Sequence, residues 1–163
     1  MKRNSTFILP ILLGVILLAA CSTAGSTTNN SGSTTEFTGA KLNLNTVTGD
    51  ELLATIPGFG NRMAREFKEY RPCISIQQFR QEIGKYVDEA QIPGYERYVY
   101  VPIAINDSDS ETLQQIPGLD SAEADSVISN RPYASTDAFI AELSGFVSAD
   151  ELETAKPYLE NDE

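Results

Sequence analysis

From residue 41 onward, apolar side chains come in short bursts at three- and four-residue spacing, the pattern of one-sided helices two or three turns long. Leu52, Leu53 and Ile56 form the first burst, Ala64 and Phe67 the second, and Ile76, Phe79 and Ile83 the third. The rhythm returns as Leu113 and Ile116, then Ala124, Val127 and Ile128, then Phe139, Ile140 and Leu143. Polar start signals precede them. Thr48-Gly49-Asp50-Glu51 and Ser108-Asp109-Ser110-Glu111 both read as capping boxes, in which a hydroxyl and a carboxylate satisfy orphan helix amides reciprocally. Ser75 with Gln78, Ser135, and Ser148 with Glu151 mark further starts, and Asp88 to Gln91 a weaker one. Pro57-Gly58 and Pro117-Gly118 are stops, because proline removes a backbone donor and glycine admits a left-handed turn. Arg71 and Arg131 each precede a proline, which drives them out of helical geometry and ends the second helix of each set. Pro93-Gly94 reads as another stop. The prediction is an all-α chain with about four short helices in each of two sets.

The two sets are copies. Sliding the chain against itself by 60 positions places Ile56-Pro57-Gly58 on Ile116-Pro117-Gly118 and Arg71-Pro72 on Arg131-Pro132. Leu53 then meets Leu113, Ala64 meets Ala124, Ser75 meets Ser135, Phe79 meets Phe139 and Tyr98 meets Tyr158. A duplication follows, with one unit over 41–101 and a second over 102–163.

The start of the chain is of another kind. Lys2 and Arg3 precede an apolar run from Phe7 to Ala20, interrupted by Pro10 and Gly14, which is the layout of a signal peptide over 1–20. The run falls short of the roughly 20 apolar residues needed to cross a bilayer. Leu18-Ala19-Ala20-Cys21 resembles the bacterial lipobox. The resemblance implies cleavage before Cys21 and its lipidation by acyl chains such as palmitate, several of which together hold a protein on a membrane where one is marginal. It places the protein in the cell envelope, on the outer face of the cytoplasmic membrane or, with Ser22 after the cysteine, on an outer membrane. Residues 21–40 are dominated by Ser, Thr, Gly and Asn and read as a disordered tether reaching roughly 25 Å.

Composition narrows the chemistry. The 163 residues include 12 Lys plus Arg, 23 Asp plus Glu, two cysteines and no histidine. With Cys21 taken by lipid, Cys73 has no intramolecular partner, and without histidine neither a zinc site nor a His-activated nucleophile is available. No catalytic residue, metal or cofactor is expected. Charge also separates the copies: residues 41–101 carry eight basic and eight acidic side chains, whereas 102–163 carry two against fourteen, a net of -12.

Leu42-Asn43-Leu44-Asn45-Thr46-Val47-Thr48, with Glu51-Leu52, Ile56-Pro57-Gly58-Phe59-Gly60 and Ala64, resembles the helix-hairpin-helix module of ComEA-type competence DNA receptors, a fold related to the second domain of RuvA. The resemblance covers the first copy, and the second keeps Ile105-Asn106 and Pro117-Gly118 but has Asp120 in place of the second hairpin glycine. It implies that backbone amides of the hairpin meet a DNA phosphate at the helix N-terminus, with no reading of sequence. On this chain the implied phosphate-binding residues are Gly58, Phe59, Gly60, Asn61, Arg62, Arg65 and Lys68. Arg62 with Glu66 and Arg65 with Glu69 also stand at i,i+4 spacing, so a solvated face of ion pairs is the competing reading of the same cations. Asp120 reads as a helix N-cap. Two functions stay open: a lipid-anchored module touching DNA backbone through the first copy, or a protein-interaction lipoprotein whose acidic second copy docks a basic partner.

Overall fold

The computed structural model describes residues 37 and 39–160. The expected signal segment, Cys21 and almost all of the tether lie outside the described residues. The chain is mainly helical. In order it forms β1 (Leu42–Asn43), α1 (Gly49–Thr55), α2 (Asn61–Glu69), α3 (Ile76–Ile83), a 3-10 turn (Glu89–Gln91), α4 (Ile92–Glu96) and β2 (Val99–Tyr100). Then follow α5 (Ser110–Leu113), α6 (Ser121–Ser129), α7 (Thr136–Leu143), α8 (Ala149–Ala155) and a 3-10 turn (Lys156–Tyr158).

Most starts follow the polar signals. Thr48 caps α1 and Ser148 caps α8 with complete capping boxes to Glu51 and Glu151. Ser75 accepts from the Gln78 amide at the start of α3, although the Gln78 side chain turns back to the Ile74 amide instead, and Ser135 caps α7. Two expectations are corrected. Ser108 does not cap α5: Asp109 does, accepting from the Thr112 amide at 2.7 Å, while the buried Ser108 hydroxyl accepts from the Ala104 amide. At the offset of 60, α5 begins one residue later than α1 and ends two residues earlier, at Leu113, so it has four residues where α1 has seven. Pro93-Gly94 is not a stop either; it lies in the first turn of α4, where proline's missing amide costs nothing.

Two apolar clusters hold the fold. The first gathers Leu44, Leu52, Ile56, Phe59, Ala64, Phe67, Phe79 and neighbours up to Val101. The second runs from Tyr100 through Leu113, Ile116, Phe139 and Leu143 to Leu159. Each half closes by bringing its first extended residues beside its last. β1 pairs in parallel with β2, Leu42 opposite Val99, and Ile103 bridges in parallel to Leu159.

A half-buried asparagine braces each half. Asn45 donates to the Cys73 carbonyl at 3.0 Å and accepts from the Cys73 amide at 2.8 Å. Asn106 makes the same pair of bonds to Tyr133, at 3.1 and 2.8 Å. Beside them Arg71 donates to the Val47 carbonyl and Arg131 to the Ile105 carbonyl. These four contacts tie the loop before the first helix to the segment before the third in both halves.

The halves are joined at β2. The Ile76 amide donates to the Thr112 hydroxyl at 3.0 Å, and Gln115 both accepts from the Val101 amide and donates to its carbonyl. Tyr100 and Tyr158 stack with ring centres 4.5 Å apart, and the Tyr100 hydroxyl donates to the Pro157 carbonyl. Arg80 of α3 spans the junction, bonded to Glu96 and Glu111. The described residues from 39 to 160 thereby form one compact unit. No helix among the described residues is long and apolar enough to cross a membrane.

Candidate functional site

The turn between α1 and α2 is built from its own backbone. Ile56 leaves α1 in extended geometry, and its carbonyl accepts from the Phe59 amide at 3.1 Å. Closing so tight a turn puts Gly58 at a φ of 70°, in the left-handed region where a Cβ is strained. Phe59 then drops into the core, edge-on to Phe67 at 4.8 Å and to Tyr95 at 5.5 Å. Its side chain is buried and its amide is used, so of the seven residues implied by the resemblance Phe59 alone has nothing to offer a ligand; it anchors the turn. Gly58, Gly60, Asn61, Arg62, Arg65 and Lys68 are exposed and lie together on the turn and α2.

Gly60 precedes α2, and no side chain caps the helix there. A Cβ built on Gly58 or Gly60 meets no atom within 4 Å. The first amides of α2 thus have no side-chain acceptor, and the helix's positive end lies behind them.

The matching turn between α5 and α6 has the same backbone and a different surround. Gly118 sits at a φ of 82° and Leu119 is buried. Asp120 caps α6, accepting from the Glu123 amide at 2.9 Å, while Glu123 accepts from the Asp120 amide at 2.9 Å. The Glu151 carboxylate of α8 lies 2.7 Å from where a Cβ on Gly118 would be. Carboxylates of the chain itself thus close the second turn.

The cations of α2 are not equivalent. Arg65 pairs with Glu66 at 3.6 Å. Neither i,i+4 pair open to the sequence is among the ion pairs of the described residues, and Arg62 and Lys68 take part in none. The reason lies in Glu66, which is 6% exposed and turned away from solvent. Nearby, the Tyr86 hydroxyl lies 2.6 Å from that of Tyr70. The bond to Tyr70 holds the Tyr86 phenol well above its ordinary range, and the nearby Glu66 charge adds to the shift. Arg62 lies over the Tyr86 ring, 5.9 Å from its centre. Tyr86 and Glu66 were not legible as site residues: Tyr86 sits 24 positions from Arg62 in a segment with no helical periodicity of its own.

Elsewhere the chemistry is sparse. Cys73 is buried, and burial pushes its thiol above the ordinary range. Tyr95 and Tyr98 pack against the first core. Among the described residues no group of three or more cysteine or carboxylate side chains is placed to hold a metal ion. A cavity of about 560 Å³ at the junction of the halves is lined by Lys41, Arg80, Glu96, Glu111 and Gln114, so its two cations face two anions. Comparison with protein-family models, with curated proteins and with solved structures gave no match.

Proposed function

We propose that the protein is a non-enzymatic, lipid-anchored pair of helix-hairpin-helix units whose first hairpin holds the phosphate backbone of duplex DNA weakly and without regard to sequence. One observation carries the reading: the first turn presents uncapped amides, a double glycine and two cations free of carboxylates, where its duplicate is shut by Asp120 and Glu151. Amides at a helix N-terminus with the dipole behind them attract anions, and glycine lets a backbone approach closely. On this reading affinity comes from phosphate contacts and counterion release. The net charge of -12 over 102–163 opposes long-range attraction, and screening over about 8 Å at physiological salt confines that repulsion to DNA lying near the acidic half. Lipid on Cys21 would hold the module at a membrane while the tether lets it meet DNA.

A second reading has its own support. In the acidic half both cations are engaged, Arg131 with the Ile105 carbonyl and Lys156 with Glu153, which leaves most carboxylates to face solvent. Such a face suits a basic protein partner, and this reading needs no DNA.

Fluorescence anisotropy of labelled duplex DNA, titrated with the full chain in nonionic detergent at 20 mM and 150 mM salt, separates them; the salts are chosen to differ about sevenfold. The DNA reading expects binding at low salt that weakens at high salt and is lost in Gly60→Asp. Absence of low-salt binding, or indifference to Gly60→Asp, leaves the protein-partner reading.

A further inference from the structure

Arg62 is the one cation of α2 that the fold both frees and holds. Three arrangements meet there. The Tyr86 ring lies under the guanidinium at 5.9 Å, a distance at which the face of an aromatic ring attracts a cation. The Tyr86 hydroxyl is bonded to that of Tyr70 at 2.6 Å, which fixes the ring, and Glu66, the carboxylate one helical turn along from Arg62, is buried and pairs with Arg65 instead. Arg62 stands at the second position of α2, immediately beyond the exposed Gly60 and Asn61. The other cations on this side are spent or loose: Arg65 pairs with Glu66, Lys85 bonds Glu82 while lying over the Tyr70 ring, and Lys68 has neither a carboxylate nor a ring beneath it.

We infer that Tyr86 is a positioning residue for the first hairpin: its ring, fixed by the bond to Tyr70, presets Arg62 beside the turn amides, so that Arg62, with Glu66 paired to Arg65, is the principal side-chain partner of a bound phosphate. The inference rests on the phosphate reading above and deepens it. It also selects among nucleic-acid features. With Arg62 over one face and its hydroxyl turned to Tyr70, Tyr86 is not a platform for an unstacked base, and the site serves a sugar-phosphate backbone rather than bases.

The test uses the full chain in nonionic detergent with a labelled duplex at low salt. Tyr86→Leu weakens binding about two- to fivefold, the worth of an exposed cation-ring contact. Arg62→Gln weakens binding more and lowers the slope of log affinity against log salt by about 0.9, one phosphate contact. The decisive measurement is the pair of backgrounds: Tyr86→Leu has no further effect in Arg62→Gln and keeps its full effect in Lys68→Gln. A residue that merely supports the fold would weaken all backgrounds alike. Arg62→Lys, at an exposed position where folding is not at stake, keeps the charge but loses the planar stack, and is expected to weaken binding two- to fivefold with the salt slope unchanged. Additive effects of Tyr86→Leu and Arg62→Gln, or wild-type affinity in Arg62→Lys, overturn the inference while leaving the hairpin reading in place. A wild-type chain that fails to bind duplex at low salt removes both.

Discussion

Replacing Gly118 by alanine places a Cβ in left-handed backbone and 2.7 Å from the Glu151 carboxylate, whereas the same change at Gly58 meets only the backbone cost. That cost is about 1–2 kcal/mol for a residue with a Cβ. At Gly118 the clash must also be relieved, and the cheapest route swings Glu151 away. Glu151 accepts from the Ser148 amide at 2.8 Å and from its hydroxyl at 2.7 Å, so moving it dismantles the capping box of α8, at about 1 kcal/mol more. Gly118→Ala is therefore expected to destabilise by about 2–3 kcal/mol and Gly58→Ala by about 1–2 kcal/mol. Urea unfolding followed by circular dichroism measures both, with midpoints read at unchanged slope. Glu151→Ala supplies the control: it already forfeits the cap and removes the clash, so Gly118→Ala in that background costs about 1 kcal/mol less than in the wild type. Equal costs at the two glycines, or strict additivity of Gly118→Ala with Glu151→Ala, would refute the claim that Glu151 occupies the second turn.

Other outcomes follow from the same contacts. Asn45→Ala and Asn106→Ala each strand a partly buried amide and carbonyl across the fold, and each should lower unfolding free energy by about 2 kcal/mol in the same assay. Glu51 and Glu151 have carboxyl groups held below their ordinary range, Glu51 chiefly by the Thr48 amide and Glu151 chiefly by the Ser148 hydroxyl. Because the folded values are depressed, that stabilisation is present above the unfolded value of 4.5 and is lost as pH falls through the folded values. The urea midpoint should decline below about pH 4.5, and less steeply in Glu51→Gln with Glu151→Gln. Cys73, buried and with its thiol pushed up, should react with a disulfide reagent at pH 8 far more slowly in the folded chain than in urea; equal rates would contradict its place in the core.

Much of the helical plan was legible because capping and stopping are local. Thr48, Ser75, Ser135 and Ser148 start helices through side chains that act within a single turn, and the Pro57-Gly58 turn follows the end of α1, whereas α5 ends at Leu113, before Pro117. The errors arise where local signals compete. Ser108 and Asp109 were both suitable caps, but the Ser108 hydroxyl is taken by the Ala104 amide and Asp109 caps α5. Pro93 has two good uses, ending a helix or opening one, and only the packing of Ile92 in the core distinguishes them. The two-residue strands lie beyond any periodicity argument. At the site, glycines and cations were readable from their spacing, but the orientation of Phe59, Glu66 and Tyr86 is set by contacts across the core and between distant segments. The asparagine braces carried a faint signal, the shared apolar-Asn pair of Leu44-Asn45 and Ile105-Asn106, whose bonds run to residues 28 and 27 positions away.

The central claim is that two turns of nearly identical backbone differ in whether an anion can reach them. Amide chemical shifts of the labelled chain, followed while duplex DNA is added at low salt, test it at both turns in one experiment. Progressive shifts are expected for Gly58, Gly60, Asn61 and Arg62, reversed by added salt, with the Gly118 to Ala122 amides unmoved. Shifts confined to the second turn, equal at both, or absent from the first would contradict it.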